Sequence, residues 1–201
     1  MLIYPDDWEV KKLGELGYTY SGLTGKTKSD FEKGNGKFIT FLNVLNNIKI
    51  DINILERVNI NEKEKQNAVK VGDLFFNASS ETPEEVGMCA VLLENPGICY
   101  LNSFCFGYRL KKKFDYHYLA FYFRAHNFRK CMMTLAQGIS RYNISKAKVM
   151  DSPILYPSIC EQRIIASCLM AVDDLIKAQA QKIALLEQHK KGLMQQLFPE
   201  I

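Results

Sequence analysis

The sequence contains no run of eighteen apolar residues, so no membrane-spanning helix is expected. None of its six cysteines stands in a C-x-x-C pair, which removes the usual zinc and dithiol spacings. Cys89, Cys99, Cys105, Cys131, Cys160 and Cys168 are expected instead as reduced, mostly buried thiols. Histidine is scarce: His117, His126 and His189 share no metal-ligand spacing, and no H-E-x-x-H occurs. There is no P-loop, no G-x-S-x-G and no G-x-G-x-x-G. Gly34-Asn35-Gly36 is too isolated to cradle a phosphate, and the Glu/Lys string at 62–65 lacks the spaced carboxylates of a Mg²⁺ nuclease. Nothing resembles an S-adenosylmethionine site, and Asn95-Pro96-Gly97 reads as a turn. No secretory leader is visible, so the expected compartment is the cytoplasm and the two glycosylation sequons carry no weight. These absences point to binding, with no catalytic or metal-ligating residue expected.

What is present begins with ordinary globular material. Hydrophobic residues make up 47% and charged residues 24%, enough for a core without a metal or disulfide staple. The net charge of +4 is only modestly basic, but its distribution is uneven. Lys11 and Lys12, Lys26 and Lys28, Lys111 to Lys113, Arg124, Arg129, Lys130, Arg141, Lys146 and Lys148 all precede residue 157, while acids concentrate at 56–64 and 81–85.

The C-terminal segment carries the clearest pattern. Ser158 with Glu161 three residues later spells a capping box. From there Ile165, Leu169, Val172, Ile176, Ile183, Leu186, Leu193 and Leu197 alternate steps of four and three, a coiled-coil seam broken only by Gln179 and Lys190. Such a stripe needs a partner. The chain therefore divides into residues 1–156, a head, and residues 157–201, a long pairing helix.

Within the head, Trp8–Leu16 suggests a short helix, residues 18–28 a Gly/Ser/Thr loop, and residues 32–37 a second loop. Strands are expected at 38–44, 48–54, 74–76 after a turn at Gly72-Asp73, 88–93, 100–110 and 152–156, and helices at 116–124 and 126–135. Residues 138–145 read as a polar loop. Strands first and helices later give an α+β head followed by the single coiled-coil helix.

The most specific local string is Ala136-Gln-Gly-Ile-Ser-Arg-Tyr-Asn-Ile-Ser145. Arg and Asn read guanine and adenine edges bidentately, and Ser, Thr and backbone N–H groups hold phosphates. Arg141 could equally be an internal anchor for the fold, and the loop could be exposed polar surface alone.

Taken together, these segments resemble a specificity (S) subunit of a type I restriction–modification system. Pro5-Asp-Asp-Trp8 with Lys12-Leu-Gly-Glu-Leu16 is similar to the opening of that family's target-recognition domain. Tyr20-Ser-Gly22 and Thr24-Gly-Lys26 resemble its first glycine turn, Phe38 to Asn43 and Val71-Gly-Asp-Leu-Phe75 its strand signatures, and Ala136 to Ser145 its Gly-Ser-Arg-x-x-Ile-type loop. Glu161-Gln162, Ile165-Ala166 and Asp173 resemble the start of its long helix, and Lys191 to Phe198 the end. The resemblance implies sequence-specific recognition of double-stranded DNA by a non-catalytic chain. It implies methyltransferase (modification) subunits as partners, with restriction subunits joining through the complex; those partners use S-adenosylmethionine, ATP and Mg²⁺, and this chain binds no cofactor itself. The candidate DNA contacts are Ser21, Thr24, Lys26, Thr27, Lys28, Asn43, Ser79, Ser80, Ser140, Arg141, Tyr142, Asn143 and Lys146.

Members of that family usually carry two recognition domains and two long helices; here there is one of each. The 33 residues from Ile165 to Leu197 span roughly 50 Å, or about 14 base pairs. Two copies with antiparallel helices would set two heads more than one DNA turn apart, and identical heads would read a two-fold symmetric, interrupted site. The expectation is a homodimer. Two readings compete with it: a coiled-coil scaffold with no DNA role, and a truncated specificity cassette inactive alone.

Overall fold

The computed structural model describes Pro5 and residues 8–198. The Pro5-to-Trp8 opening and the final residues 199–201 otherwise lie outside the described residues. Among the described residues four β-sheets and five short helices make the head, and one 39-residue helix leaves it. In chain order the elements are β1 (Glu9–Lys12), α1 (Leu13–Leu16), β2 (Gly17–Ser21), β3 (Phe31–Ile39), α2 (Phe41–Asn46), β4 (Glu56–Val58), β5 (Leu74–Asn77), β6 (Ser79–Ser80), β7 (Cys89–Val91), β8 (Cys99–Leu101), β9 (Cys105–Leu110), α3 (Tyr116–Tyr122), α4 (His126–Leu135), β10 (Tyr142–Asn143), α5 (Lys146–Asp151), β11 (Pro153–Tyr156) and α6 (Ile159–Leu197). The architecture is α+β, as the order of strands and helices predicts.

The principal sheet runs β2-β9-β5-β7, antiparallel throughout. Its middle strand shows why these sequences read as continuous apolar runs. Leu74 and Phe76 point into one core and Phe75 into the other, because side chains alternate and both faces are covered. The first core lies under α3 and α4, where Phe76, Phe106, Tyr108, Phe123 and Phe128 pack ring on ring. The second lies under α2 and the β4-β3-β8 sheet, in which β3 and β8 are parallel.

Several local expectations change. Trp8–Leu16 is β1 plus one turn of helix rather than a single helix, because β1 pairs with β11 and so brings the chain start to the foot of α6. Residues 17–21 form a strand, not a loop. The second loop, 32–37, is part of β3. Residues 41–46 form α2 rather than a strand: Thr40 caps it, its hydroxyl accepting from the Asn43 N–H at 3.2 Å. Residues 52–54 are a 3-10 turn. α5 was not expected. By contrast α4 begins and ends where the sequence places it, α3, β7 and β11 lie within their expected spans, and β5 runs one residue past its expected end at Phe76.

The boundary between head and helix also shifts. Ala166 and Gln162 on α6 are buried, and Ile165 packs against the first core. Gln162 donates to the Pro157 carbonyl and accepts from the Asp115 N–H, each at 2.9 Å. The first two turns of α6 therefore belong to the head, and Ile165 is a core contact rather than part of a free seam.

Candidate nucleic-acid interface

The polar loop folds as a tight hairpin. Gln137 and Asn143 exchange backbone hydrogen bonds of 2.9 and 2.8 Å, which closes residues 138–142 into a projecting end. Gly138 makes this possible. Its φ of +140° suits glycine, and a Cβ there would run into the Arg141 carbonyl. β10 then pairs with β6, Tyr142 opposite Ser80 and Asn143 opposite Ser79. Buried Ile144 anchors the base, its N–H donating to the Ala78 carbonyl at 2.9 Å. Ile139, Ser140, Arg141 and Asn143 are left exposed on a braced rim.

Arg141 is held on two sides. Its Nε donates to Ser79 Oγ at 2.9 Å, and its guanidinium lies 5.2 Å from the centre of the Phe104 ring. Lys146 Nζ donates to Ser21 Oγ at 3.1 Å, which ties the start of α5 to the end of β2. The structure thus brings Ser21, Ser140, Arg141, Tyr142, Asn143 and Lys146 to one corner of the head. Ser79 and Ser80 are there too, but buried: Ser79 braces Arg141, and the Ser80 hydroxyl donates to the Glu85 carboxylate. They support the rim rather than face a ligand.

The other candidates separate from this corner. Asn43 is fully buried, and its amide holds the chain after α2 by donating to the Asp51 carbonyl and accepting from the Asp51 N–H. It is a structural residue, not a DNA contact. Thr24, Lys26, Thr27 and Lys28 lie on a loop packed over residues 59–66. Lys26 does not present its charge: the side chain is 5% exposed, pairs with Glu64 at 2.5 Å and donates to the Asn59 carbonyl at 2.6 Å. That pairing, with a bond from Gln66, holds the Glu64 carboxyl below its usual range. Hydrogen bonds from Thr27 do the same for Asp30, so the Thr27 hydroxyl is also committed locally. Thr24 and Lys28 remain exposed.

The basic clusters of the sequence do not converge on one face. Lys11 pairs with Glu9 and Lys12 with Asp151. Arg124 and Arg129 turn inward to backbone carbonyls. Lys111 to Lys113 follow the end of β9 that faces Gly17, whereas Ser21 faces Phe106 at the other end of the same strand pair. Cys89, Cys99 and Cys105 are buried, and burial pushes the last two thiols up to about 11 and about 12. Cys131 is half-buried, while Cys160 and Cys168 sit exposed on α6.

The second functional surface is α6 itself. Ser158 and Glu161 form the expected capping box, and Glu161 also accepts from the Trp8 indole N–H at 3.1 Å. Beyond Ala166 the helix leaves the head. Leu169, Val172, Ile176, Ile183, Leu186, Leu193 and Leu197 are exposed along it, interrupted by Gln179 and Lys190. Ile164, Leu175 and Leu185 stand one residue before stripe positions and are exposed too. A soluble helix does not ordinarily leave so wide an apolar strip in water. Among the described residues no three His, Cys, Asp or Glu side chains come together as metal ligands, and no helix is long and apolar enough to cross a membrane.

Residues 5–188, head and helix alike, match the type I restriction modification DNA specificity domain family. This chain belongs to that family. It is 30% identical to the type I restriction enzyme MjaX specificity subunit of Methanocaldococcus jannaschii, over 96% of this chain and 46% of that protein. Two solved structures share the fold. One is a chain from work on complex assembly and conformational transition of the type I R-M system (TM-score 0.69, 19% identical, 96% of this chain and 45% of that one). The other is the HsdS subunit of Thermoanaerobacter tengcongensis (TM-score 0.62, 18% identical, 90% of this chain and 41% of that one). The chain thus spans less than half the length of these relatives.

Sequence reasoning missed Phe104 as part of the corner. It lies inside the apolar run that becomes β8 and β9, and nothing in the local pattern marks it as half-exposed.

Proposed function

We propose that this chain recognises double-stranded DNA as the specificity component of a type I restriction–modification complex. The hairpin corner at Ser140–Lys146 meets the duplex, and α6 pairs with a second copy. Methyltransferase and restriction subunits bring S-adenosylmethionine, ATP and Mg²⁺ and do the chemistry; this chain supplies no catalytic residue. The observation that carries the reading is the family match over head and helix together. The exposed stripe supports the pairing: it is long enough, and uncovered enough, to hold two heads apart. The described residues form one head and one long helix. Two copies related by a two-fold axis would read a symmetric, bipartite site.

The test is duplex binding by the full chain at low salt, followed along a salt series. Affinity for random duplex should be measurable near 50 mM salt and fall linearly on a log–log plot. Absence of binding to any duplex under those conditions would remove the DNA reading and leave the scaffold reading in its place.

A further inference from the structure

We propose that the corner reads one guanine with a thymine beside it in the major groove, Arg141 taking the guanine edge and Phe104 with Leu42 taking the thymine methyl. This rests on the DNA reading above and names what that site would recognise.

Arg141 is preset. The Ser79 bond fixes Nε, and the Phe104 ring fixes the plane. Among the described residues neither terminal nitrogen has a hydrogen-bond partner, and the side chain forms no ion pair. An immobilised guanidinium with its outer edge open suits a planar, two-acceptor partner. A phosphate and a guanine edge both qualify, and the surroundings choose between them. Glu81 and Glu85 line the same cavity of about 380 Å³ as Arg141. Their charge repels a phosphate, whereas guanine offers O6 and N7 on a neutral edge, and the paired cytosine offers an amino donor that a carboxylate accepts.

The apolar part of the cavity completes the argument. Leu42 is 61% exposed and Phe104 50% exposed, and both line it. Together they give the cavity an apolar wall beside the guanidinium. The thymine C5-methyl is the apolar group that the major groove displays, and it lies beside the edge of a neighbouring guanine.

The experiment selects duplexes from a randomised pool with the full chain, then changes single atoms in the winners. Winners should carry a guanine next to a thymine. Replacing that guanine by 7-deazaguanine, which removes N7 and keeps O6, should cost wild-type binding about 2- to 12-fold, half of one bidentate contact on the free-energy scale. Replacing that thymine by uracil, which removes only the methyl, should weaken it measurably. Arg141→Ala should bind without regard to 7-deazaguanine, and Phe104→Ala without regard to uracil. The base substitutions alter no protein residue, so they decide the matter even if a variant misfolds. Specific winners that tolerate both base changes would overturn this inference and leave the DNA reading standing. An equal loss on every sequence for Arg141→Ala, with a salt slope flatter by about one unit, would make Arg141 a phosphate contact and overturn it likewise. No binding to any duplex would overturn both.

Discussion

At the residue scale, positive charge in this head does two different jobs, and burial separates them. Arg124 is the clearest internal case. Its guanidinium donates to the carbonyls of Cys89 (2.7 Å), Val44 (2.7 Å), Leu45 (2.9 Å) and Asn47 (2.6 Å). Three of these carbonyls close the C-terminus of α2, where a cation also suits the helix dipole; the fourth ties that end to β7. Burial lowers the pKa of this arginine, so the bonds repay a desolvation cost. Arg124→Ala should leave four buried acceptors without a donor and cost roughly 3 kcal/mol, read as a lower urea midpoint with an unchanged m-value. Lys26 belongs with it. Lys26→Ala should lower the melting temperature yet leave the slope of log affinity against log salt untouched, since its charge already faces Glu64. Lys146→Ala should do the reverse and flatten that slope by about one unit.

At the element scale, the start of α6 is a small electrostatic device. Ser158 caps the helix, Glu161 returns the bond to the Ser158 N–H, and Trp8 donates to the same carboxylate. These bonds hold the Glu161 carboxyl below its ordinary value of 4.5. A carboxyl depressed in the folded state contributes stability above its unfolded pKa and loses it as pH falls through the folded one. Acid should therefore loosen the first turn of α6 progressively below about pH 4.5. Amide exchange at residues 159–163 should rise there first, and Glu161→Gln should remove that pH dependence. Ser158→Ala should cost about 1 kcal/mol. α6, α4, α3 and β5 were legible because periodicity or a bounded apolar run repeats within each segment. β3 was not: its Gly34 and Gly36 look like a loop, but Gly34 is there because β4 passes so close that a Cβ would meet the Val58 carbonyl. α2 was not, because an aromatic, β-branched stretch becomes helical through Thr40 beside it and Arg124 some eighty positions away. In the candidate site, the hairpin residues were visible as unusual polar residues after a glycine. Phe104, Glu81 and Glu85 were not, since only the folded chain brings them to Arg141.

At the scale of the whole molecule, the stripe of α6 stands exposed, with no partner helix against it among the described residues. From Leu169 to Leu197 the seven stripe side chains face water, each worth up to about 1.5–3 kcal/mol if fully buried, before the entropy of ordering two chains is subtracted. On the two-copy proposal this burial is the driving term for pairing, set against the cost of association. On the same proposal, Gln179 and Lys190 are the polar positions that would set register. The double substitution Ile176→Asp with Ile183→Asp puts two charges in the middle of the seam and touches nothing in the head, whose last buried helical residue is Ala166. Light scattering should report the mass of two 23.1 kDa chains for the wild type and of one for the variant, with the same head melting transition in both. Duplex binding by the variant should lose its preference for paired half-sites while keeping the affinity of one head for one half-site. A wild type that stays monomeric at tens of micromolar, and dimeric in neither the presence nor the absence of a modification subunit, would end the two-copy arrangement and require another specificity half to supply the second helix.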